Sequence, residues 1–338
     1  MNSNIVEDPK TKSVDGGAQT PARVCAVVVT FNRKTLLEEC LRALHSQTRP
    51  LDTVLVVDNA STDGTHEMVC DLAEQHANLE VLRLPDNVGG AGGFHAGMKW
   101  ACEAGFDWLW IMDDDGVPAP DCLQVLLDAH EETLARKPDT APEVLVPLQR
   151  DSSGHEYGFS IWRGLQINVT REVTRGHQPP GTPVFHFVGP LIARSLVEWV
   201  GLPRADFFIW FDDIEWALRA AQGGGRVRFV PGAVFHHDFG GTKTTSFLGR
   251  PSVRMQQPVW KEYYGARNTL YTLTRTPRRG ELGRELVSYF LRTQGRGMIG
   301  DLMYEPDRWA RIKMRMHGIS DGARGRMGAR VSPGGGPR

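Results

Sequence analysis

Four short apolar runs alternate with helix-like segments through roughly the first 115 residues of this 338-residue chain. The runs occupy residues 24–30, 53–57, 79–84 and 107–112, and the first two are almost wholly apolar and rich in valine. This pattern is typical of strands that are covered on both faces of a sheet. Strands that alternate with helices predict a parallel sheet with right-handed crossovers, and such sheets bind ligands at their carboxyl edge. We therefore expect an α/β fold.

The fourth run leads directly into three carboxylates, Asp113, Asp114 and Asp115, which are followed by Gly116. Carboxylates packed side by side repel one another, so such a cluster normally needs a cation. A strand that carries Asp113 and Asp115 to the carboxyl edge places two hard oxygen ligands one step apart. The sequence therefore predicts a site for Mn²⁺ or Mg²⁺, and the alternative is a solvated acidic turn.

Polar residues also follow the first two runs. Thr30, Asn32 and Arg33 stand at or just after the end of the first run, and Asp58 follows the second. Side chains at neighbouring carboxyl edges converge on one crevice. There Asp58 can accept a hydrogen bond from a base or a ribose hydroxyl, and Arg33 can contact a pyrophosphate. A helix cap or a surface charge is the alternative for either residue.

A glycine-dense block follows the third run at residues 87–94 and contains Asn87, Gly89 and Gly90. It is not the dinucleotide-binding fingerprint, because it follows the third strand and no acidic residue lies about 20 positions later to hold a ribose. Glycine lets the backbone come close to a ligand or to a neighbouring helix. Ligand binding and tight packing at a helix start are therefore both open.

A second acidic cluster, Asp212, Asp213 and Glu215, follows the aromatic residues 207–211, which include Trp210. Aromatic side chains suit the wall of a sugar site. A carboxylate in an apolar setting has a raised pKa and can accept a proton from an alcohol, so the cluster is a candidate general base. The alternative is charge favoured by the dipole of a helix start, which accounts for one of the three acids.

The adjacent histidines His236 and His237 close the next ordered segment, in which residues 226–230 and 233–237 predict two short strands. Imidazole beside carboxylates suits Mn²⁺ better than an all-oxygen magnesium site. A structural role is the alternative for such a pair. The sequence leaves open which of the two histidines would bind the metal.

The charge balance is uneven along the chain. The net charge is −1, but residues 275–338 hold fourteen Lys/Arg against six Asp/Glu. This predicts that a basic, helical C-terminal region rests on an anionic membrane surface. Nucleic acid is a disfavoured partner, because aromatic residues are few in the tail and its charges are dispersed.

The compartment is predicted from cysteine use and hydropathy. The five cysteines lie within the first 122 residues without metal-type spacing, which is typical of reduced thiols in a cytosolic protein. No apolar run reaches the roughly 18 residues needed to cross a bilayer. We expect a cytoplasmic protein that is peripheral on the inner face of the cell membrane.

Together these residues resemble the GT-A glycosyltransferases of family 2, from about Arg23 to His237. The more specific segments are residues 87–94 followed by 112–116, and residues 210–219 followed by 231–237. They are similar to the bacterial galactofuranosyltransferases that build cell-wall galactan on a polyprenyl-diphosphate carrier. The length of the chain favours the shorter, initiating type.

The resemblance implies a role for each site residue. Asp113, Asp115 and His237 would bind the metal, and Asp213 would be the catalytic base. The donor would lie against Thr30, Asn32, Arg33, Asp58, Asn87, Gly89, Gly90 and Asp113, and the acceptor against Trp210, Asp212 and Glu215. Phe211 directly precedes the Asp pair, where the long enzymes of the family have tryptophan.

The implied reaction is an inverting transfer of galactofuranose from UDP-galactofuranose to a polyprenyl-diphosphate-linked glycan, with Mn²⁺ or Mg²⁺. One alternative is a dTDP-rhamnose-dependent rhamnosyltransferase of the same fold. A more distant one is a sugar nucleotidyltransferase, whose glycine-rich loop after the first strand is missing here. We expect a disordered leader (1–21), a GT-A domain (22–257), a basic helical region (258–317) and a disordered tail (318–338).

Overall fold

The computed structural model describes residues 21–137, 143–157, 160–162, 166–168, 182–238, 240–275 and 281–332. In chain order its strands are β1 (Val24–Thr30), β2 (Thr53–Asp58), β3 (Leu79–Arg83), β4 (Trp108–Asp113), β5 (Val117–Pro118), β6 (Glu143–Arg150), β7 (Glu156–Tyr157), β8 (Ser160–Trp162), β9 (Gln166–Asn168), β10 (Thr182–Val184), β11 (Leu191–Ala193), β12 (Arg226–His236), β13 (Thr242–Phe247) and β14 (Arg250–Met255). Its helices are α1 (Lys34–His45), α2 (Thr65–Ala73), α3 (Gly89–Glu103), α4 (Cys122–Arg136), α5 (Arg194–Val200), α6 (Asp212–Gln222), α7 (Val259–Arg275), α8 (Glu281–Tyr304) and α9 (Arg308–Arg324).

A nine-stranded mixed sheet carries the fold, in the order β3-β2-β1-β4-β11-β6-β12-β5, with β7 paired to β6. Strand β1 pairs in parallel with β2 and β4, and β2 pairs in parallel with β3. Strand β11 runs antiparallel to β4 and β6, whereas β12 is parallel to β6. The α/β prediction is confirmed, and the four strands expected from the alternating pattern are parallel. Strands β8–β10 and the hairpin β13–β14 form two smaller sheets.

Helices cover both faces of the sheet, because alternate residues of a strand point to opposite sides. On one face Val27 of β1 shares a buried cluster with Met98 of α3 and Trp216 of α6. On the other face Val28 shares a buried cluster with Leu41 of α1. The carboxyl ends of β1, β2 and β4 therefore open at one edge of a firmly packed sheet.

Helix α3 lies directly on the sheet through its glycines. A Cβ atom at Gly93 would overlap the side chain of Val29, and one at Gly97 would overlap Val27 and Val57. Only glycine permits this approach of helix to strand. The packing interpretation therefore holds for these two glycines.

Residues 226–236 form the single bulged strand β12 where two strands were expected. Both halves pair with β6, and the register shifts between Val230 and Val234. Pro231 and Gly232 fall at this bulge, a position that tolerates residues unsuited to a regular strand. The prediction of two separate strands is wrong for that reason. His237 follows β12 directly.

The two helices α7 and α9 cross closely. A Cβ atom at Gly318 would overlap the backbone of Tyr263, and one at Gly322 would overlap the backbone of Arg267. Only glycine permits this approach of the two helices. Helix α9 ends at residue 324, whereas the sequence predicted that the helical region ends at residue 317. Residues 1–20 of the expected leader and 333–338 of the expected tail lie outside the described residues.

Part of the basic charge near the C-terminus is paired within the protein. Arg315 lies 2.8 Å from Asp301, and Arg311 lies 2.9 Å from Glu262. All four side chains are buried. These arginines are not available to a lipid surface, so the sequence-based charge count overstates the basic surface. Within the described residues, no helix combines the length and hydropathy needed to span a bilayer.

Candidate active site

The acidic cluster begins where β4 ends. Its middle carboxylate, Asp114, is buried and accepts hydrogen bonds from Thr30 Oγ1 at 2.7 Å and from Arg33 Nη1 at 3.2 Å. This carboxylate therefore ties the ends of β1 and β4 together. Thr30 is 1 % exposed, so its hydroxyl supports the site from behind.

The flanking carboxylates meet a histidine. Ligand atoms of Asp113, Asp115 and His237 all lie within 4.8 Å of one another, and Asp115 Oδ1 is 3.2 Å from His237 Nε2. Of the two adjacent histidines, His237 is the one beside the carboxylates, and His236 is an exposed residue of β12. Two carboxylates with one imidazole form a donor set that fits Mn²⁺, and Mg²⁺ less well.

The charges in this cluster are unevenly balanced. Burial, together with the charges of Asp115 and Asp114, raises the pKa of Asp113 to about 8. Burial also acts to raise the pKa of Asp115, but His237 and Arg33 outweigh it and hold that pKa below its usual range. Arg33 Nη1 lies 2.8 Å from Asp115 Oδ2. Arg33 therefore offsets part of the negative charge of the cluster.

The loops after β1 and β2 are joined by side-chain hydrogen bonds. Asn32 Oδ1 accepts from the backbone N–H of Thr62 at 2.7 Å. Asp58 is fully buried, and its Oδ1 accepts from the N–H of Ser61 at 2.9 Å. Asp58 Oδ2 lies 3.5 Å from His66 Nδ1. Asn32 thus joins the loop after β1 to the loop after β2, and Asp58 holds the second loop in place.

The glycine block lies beside these loops. Asn87 Oδ1 accepts from the N–H of Gly89 at 2.8 Å. Gly89 has φ +77°, and a Cβ atom there would overlap the carbonyl group of Phe208. The space around Gly90 is open, with nothing within 4 Å of such an atom. Gly89 therefore serves packing, whereas Gly90 borders free volume.

Asn59 connects β2 to this block, and sequence analysis did not single it out. It is 2 % exposed, its Nδ2 donates to the carbonyl of Gly89 at 2.9 Å, and its Oδ1 accepts from the N–H of Val88 at 2.9 Å. The only sequence signal is its place directly after Asp58.

The segment before the second acidic cluster is strained. Phe208, Trp210 and Phe211 have φ of 67°, 72° and 71°. Each non-glycine residue in such a region costs on the order of 1 kcal/mol or more and persists only where its surroundings fix it. Trp210 is 37 % exposed, so its ring is accessible to a ligand.

Asp213 follows this segment and pairs with a histidine. Its Oδ2 lies 2.7 Å from His186 Nδ1, and its Oδ1 accepts the N–H of Ile214 at 2.6 Å. Burial acts to lower the pKa of His186, but Asp213 outweighs it and raises that pKa above its usual value. Sequence analysis missed His186, whose only signal is a polar residue between the two core phenylalanines Phe185 and Phe187.

The other two acids of the cluster are held within the protein. Asp212 is 7 % exposed, and burial together with the charge of Asp213 raises its pKa. Glu215 forms two hydrogen bonds to Arg219, at 2.8 and 2.9 Å. Asp213 is thus the member of the cluster with a histidine partner and a partly exposed carboxylate.

Comparison with known proteins decides the family. Residues 25–136 match the family model for glycosyl transferase family 2. Galactofuranosyltransferase GlfT1 of Mycolicibacterium smegmatis is 31 % identical over 277 residues, which cover 79 % of this chain and 88 % of that protein. The chain belongs to glycosyltransferase family 2.

Two further comparisons concern a second sequence relative and the fold of this glycosyltransferase. The dTDP-rhamnosyl transferase RfbF of Shigella flexneri is 25 % identical over 256 residues, covering 75 % of this chain and 80 % of RfbF. The structure of mannosyltransferase PcManGT from Pyrobaculum calidifontis with GDP-Man and Mn²⁺ is similar, with a TM-score of 0.53 at 20 % identity over 90 % of this chain and 76 % of that one. The expected GT-A fold with a C-terminal helical extension is confirmed.

The glycosyltransferase also brings Lys261 of α7 toward the acidic cluster, which sequence analysis did not foresee. Burial and the charge of Arg33 lower the pKa of Lys261, and the charge of Asp113 partly offsets them. Its Nζ lies 5.7 Å from the ring centre of Trp260. No local pattern links Lys261 with Asp113, which lies far away in the sequence; the charge of Asp113 acts on Lys261 only in the folded chain.

Proposed function

We propose that this family 2 glycosyltransferase moves galactofuranose from UDP-galactofuranose to a polyprenyl-diphosphate-linked glycan, with inversion at the anomeric carbon. The identity of 31 % with a galactofuranosyltransferase over most of both chains carries the choice of donor. We propose the polyprenyl-linked acceptor from the resemblance of residues 87–94, 112–116 and 210–219 to the cell-wall galactofuranosyltransferases, and the initiating role from the length of the chain.

The donor diphosphate would lie at the carboxyl edge of β1 and β4. Asp113, Asp115 and His237 would hold a divalent cation there, which would neutralise charge on the diphosphate. Arg33 is half exposed, so its guanidinium can also donate to a phosphate oxygen. Lys261 of α7, whose pKa responds to the charges of Arg33 and Asp113, would be a second donor. The nucleoside would lie against Asn32 and Gly90, and the buried Asp58 would support that surface by holding the loop after β2.

Asp213 would perform the proton transfer. The acceptor hydroxyl gives its proton to the carboxylate of Asp213, its oxygen bonds to the anomeric carbon, and the bond from that carbon to the nucleotide diphosphate breaks. His186 donates to Oδ2 and so orients the carboxylate. Trp210 offers an exposed ring for a sugar face. Glu215 supports α6 through Arg219, and we propose no direct acceptor contact for it.

A lipid-linked acceptor requires a place at the membrane. Several apolar side chains in and before the C-terminal region are exposed: Trp309 at 72 % and Leu291 at 63 % on its helices, and Leu248 at 86 % in the turn of the β13–β14 hairpin. Exposed apolar residues beside basic ones are typical of proteins bound at a membrane interface. We propose a cytoplasmic enzyme that rests on the inner face of the membrane through this region.

A donor panel tests the proposal. The protein is incubated with Mn²⁺, a polyprenyl-diphosphate-linked glycan and a series of nucleotide sugars, and release of nucleotide diphosphate and the glycosylated lipid are scored together. We expect turnover with UDP-galactofuranose. A preference for dTDP-rhamnose would instead support the second candidate, which the likeness to RfbF favours.

A further inference from the structure

The segment of residues 206–211, here called the acceptor segment, connects both sides of the site. The N–H of Ala91 on α3 donates to the carbonyl of Phe208 at 3.1 Å, so the segment touches the glycine block. Its other end starts α6, since the carbonyl of Phe211 accepts the N–H of Glu215 at 3.0 Å. Any shift of this segment would therefore move Asp213.

Two buried side chains of α7 bind the backbone of the acceptor segment. Asn268 is 0 % exposed, and the two N–H groups of its Nδ2 are shared among the carbonyls of Phe207 at 3.0 Å, Ile209 at 2.9 Å and Trp210 at 2.7 Å. Arg267 is also 0 % exposed, and its Nη2 donates to the carbonyl of Phe207 at 2.8 Å.

The orientation of the Asn268 amide is fixed as well. Arg267 Nε donates to Asn268 Oδ1 at 2.8 Å, so the oxygen faces Arg267 and the NH₂ group faces the carbonyls. An amide is required here, because the three carbonyls accept and cannot donate. A carboxylate of the same shape would place an acceptor against acceptors.

We propose that Asn268 is a positioning residue for sugar transfer. Its amide fixes the left-handed backbone at Trp210 and Phe211 and thereby places the carboxylate of Asp213 against the acceptor hydroxyl. The C-terminal helices thus take part in the transfer step from behind the site. The expected effect on sugar transfer rests on the proposed function. The expected effect on the backbone of residues 206–211 rests on the hydrogen bonds alone.

The test compares Asn268→Asp, which keeps the side-chain shape, with wild type. Thr274→Ala is the matched control, because the hydrogen bonds described for the Thr274 hydroxyl stay within its own helix: it donates to the carbonyls of Leu270 and Tyr271 and accepts from Arg275 Nη1. Amide hydrogen exchange of residues 206–211 is measured first. UDP binding with Mn²⁺ is then measured by calorimetry, and kcat and KM for the acceptor are measured from initial rates.

In Asn268→Asp we expect faster exchange confined to the acceptor segment, UDP affinity within about threefold of wild type, and kcat lower by about 10²-fold, the cost of a misplaced reacting group. Thr274→Ala should match wild type throughout. Unchanged exchange in the segment, or a wild-type kcat in a folded variant, would overturn the proposal. So would equal losses of UDP binding and transfer, since these indicate a general structural role. If wild type lacks the proposed activity, hydrogen exchange still decides the structural part.

Discussion

His186 and Asp213 form a histidine–carboxylate pair in which Nδ1 and Oδ2 are 2.7 Å apart. The two residues are far apart in sequence and come together because the chain before β11 runs beside the start of α6. Their coupling raises the pKa of His186 against the opposing effect of burial. The pair therefore orients the carboxylate of the proposed base, and the titration of the His186 imidazole reports on the pairing.

The shift of the His186 pKa from its usual value should change sign when residue 213 is made neutral. In wild type, NMR titration of the imidazole should give a pKa above 6.5, whereas Asp213→Asn should bring it below 6.5, because burial then acts without the carboxylate. Asp212→Asn is the control and should leave the pKa raised. A His186 pKa that stays above 6.5 in Asp213→Asn would contradict the pairing.

The same pair has a defined effect on stability. Because the folded pKa of His186 is raised, its contribution is fully present below the unfolded pKa of about 6.5 and is lost as pH rises through the folded pKa. The stability difference between wild type and His186→Gln in urea unfolding should therefore shrink from pH 6 to pH 9.

Asp213→Asn should lower sugar transfer by about 10²–10⁴-fold, the usual contribution of a positioned general base. Donor affinity should remain near wild type, because the base acts on the acceptor. Glu215→Gln should retain transfer and lower the thermal midpoint, since Glu215 binds Arg219 and not the acceptor. Rates on the lipid-linked acceptor and calorimetry with UDP separate the two effects. A Glu215→Gln variant that loses transfer while Asp213→Asn keeps it would refute the assignment.

Asp113 should destabilise the metal-free protein at neutral pH. Its folded pKa of about 8 lies above the value of 3.8 for a free carboxyl, so stability falls as pH rises between these values. Metal-free Asp113→Asn should therefore melt at a higher temperature than metal-free wild type at pH 8. Mn²⁺ should stabilise wild type, by about 2.7 kcal/mol at one hundred times its Kd, and not the variant.

Asp121→Asn is the matched control for that measurement, because Asp121 is exposed at the start of α4. Its metal-free melting temperature and its response to Mn²⁺ should equal those of wild type. If Asp121→Asn and Asp113→Asn behave alike, the acidic cluster does not hold the cation.

Lys261→Met should weaken binding of UDP with Mn²⁺ by about tenfold, or about 1.4 kcal/mol, because one charged donor to the diphosphate is lost. Methionine keeps the apolar stem beside Trp260. Lys99→Met is the control, since Lys99 pairs with Glu103 on α3. Equal UDP affinity in wild type and Lys261→Met would show that the ammonium does not reach the diphosphate.

Membrane binding should depend on Leu248 and Trp309 more than on total charge. The double variant Leu248→Ser, Trp309→Ser should bind anionic vesicles about tenfold or more weakly, because two exposed apolar side chains no longer enter the interface. Trp199→Ser removes a tryptophan that is 56 % exposed on α5 and should have no effect. Co-sedimentation at low and physiological salt measures both, and equal binding by the two variants would argue against this surface.

Local patterns in the sequence pointed to those parts of the candidate site in which neighbouring residues lie on one strand or at one helix start. The run into Asp113 and Asp115 and the segment before Asp213 each combine a strand or helix start with carboxylates, so the local pattern made both clusters candidates, and the family resemblance supplied the individual roles. The prediction divided β12 into two strands, because Pro231 and Gly232 are residues that commonly end a strand. Both halves nevertheless pair with β6.

His186, Lys261 and Asn268 could not be predicted in the same way. Each acts on a partner from a distant part of the chain, and nothing in its own neighbourhood distinguishes it from an ordinary core or surface residue. The basic C-terminal region was judged by net charge, whereas Arg311 and Arg315 are buried in ion pairs. Composition counts charges but does not show which of them meet solvent.

The crossing of α7 and α9 at Gly318 and Gly322 has a consequence for the order of synthesis. A ribosome delivers the chain from its N-terminus, so the sheet and its acidic cluster can form before α9 emerges. Helix α7, which carries Asn268, is packed against α9 only after Gly318 and Gly322 have been synthesised. A nascent chain would thus complete the acidic cluster before α9 packs against the helix that carries Asn268.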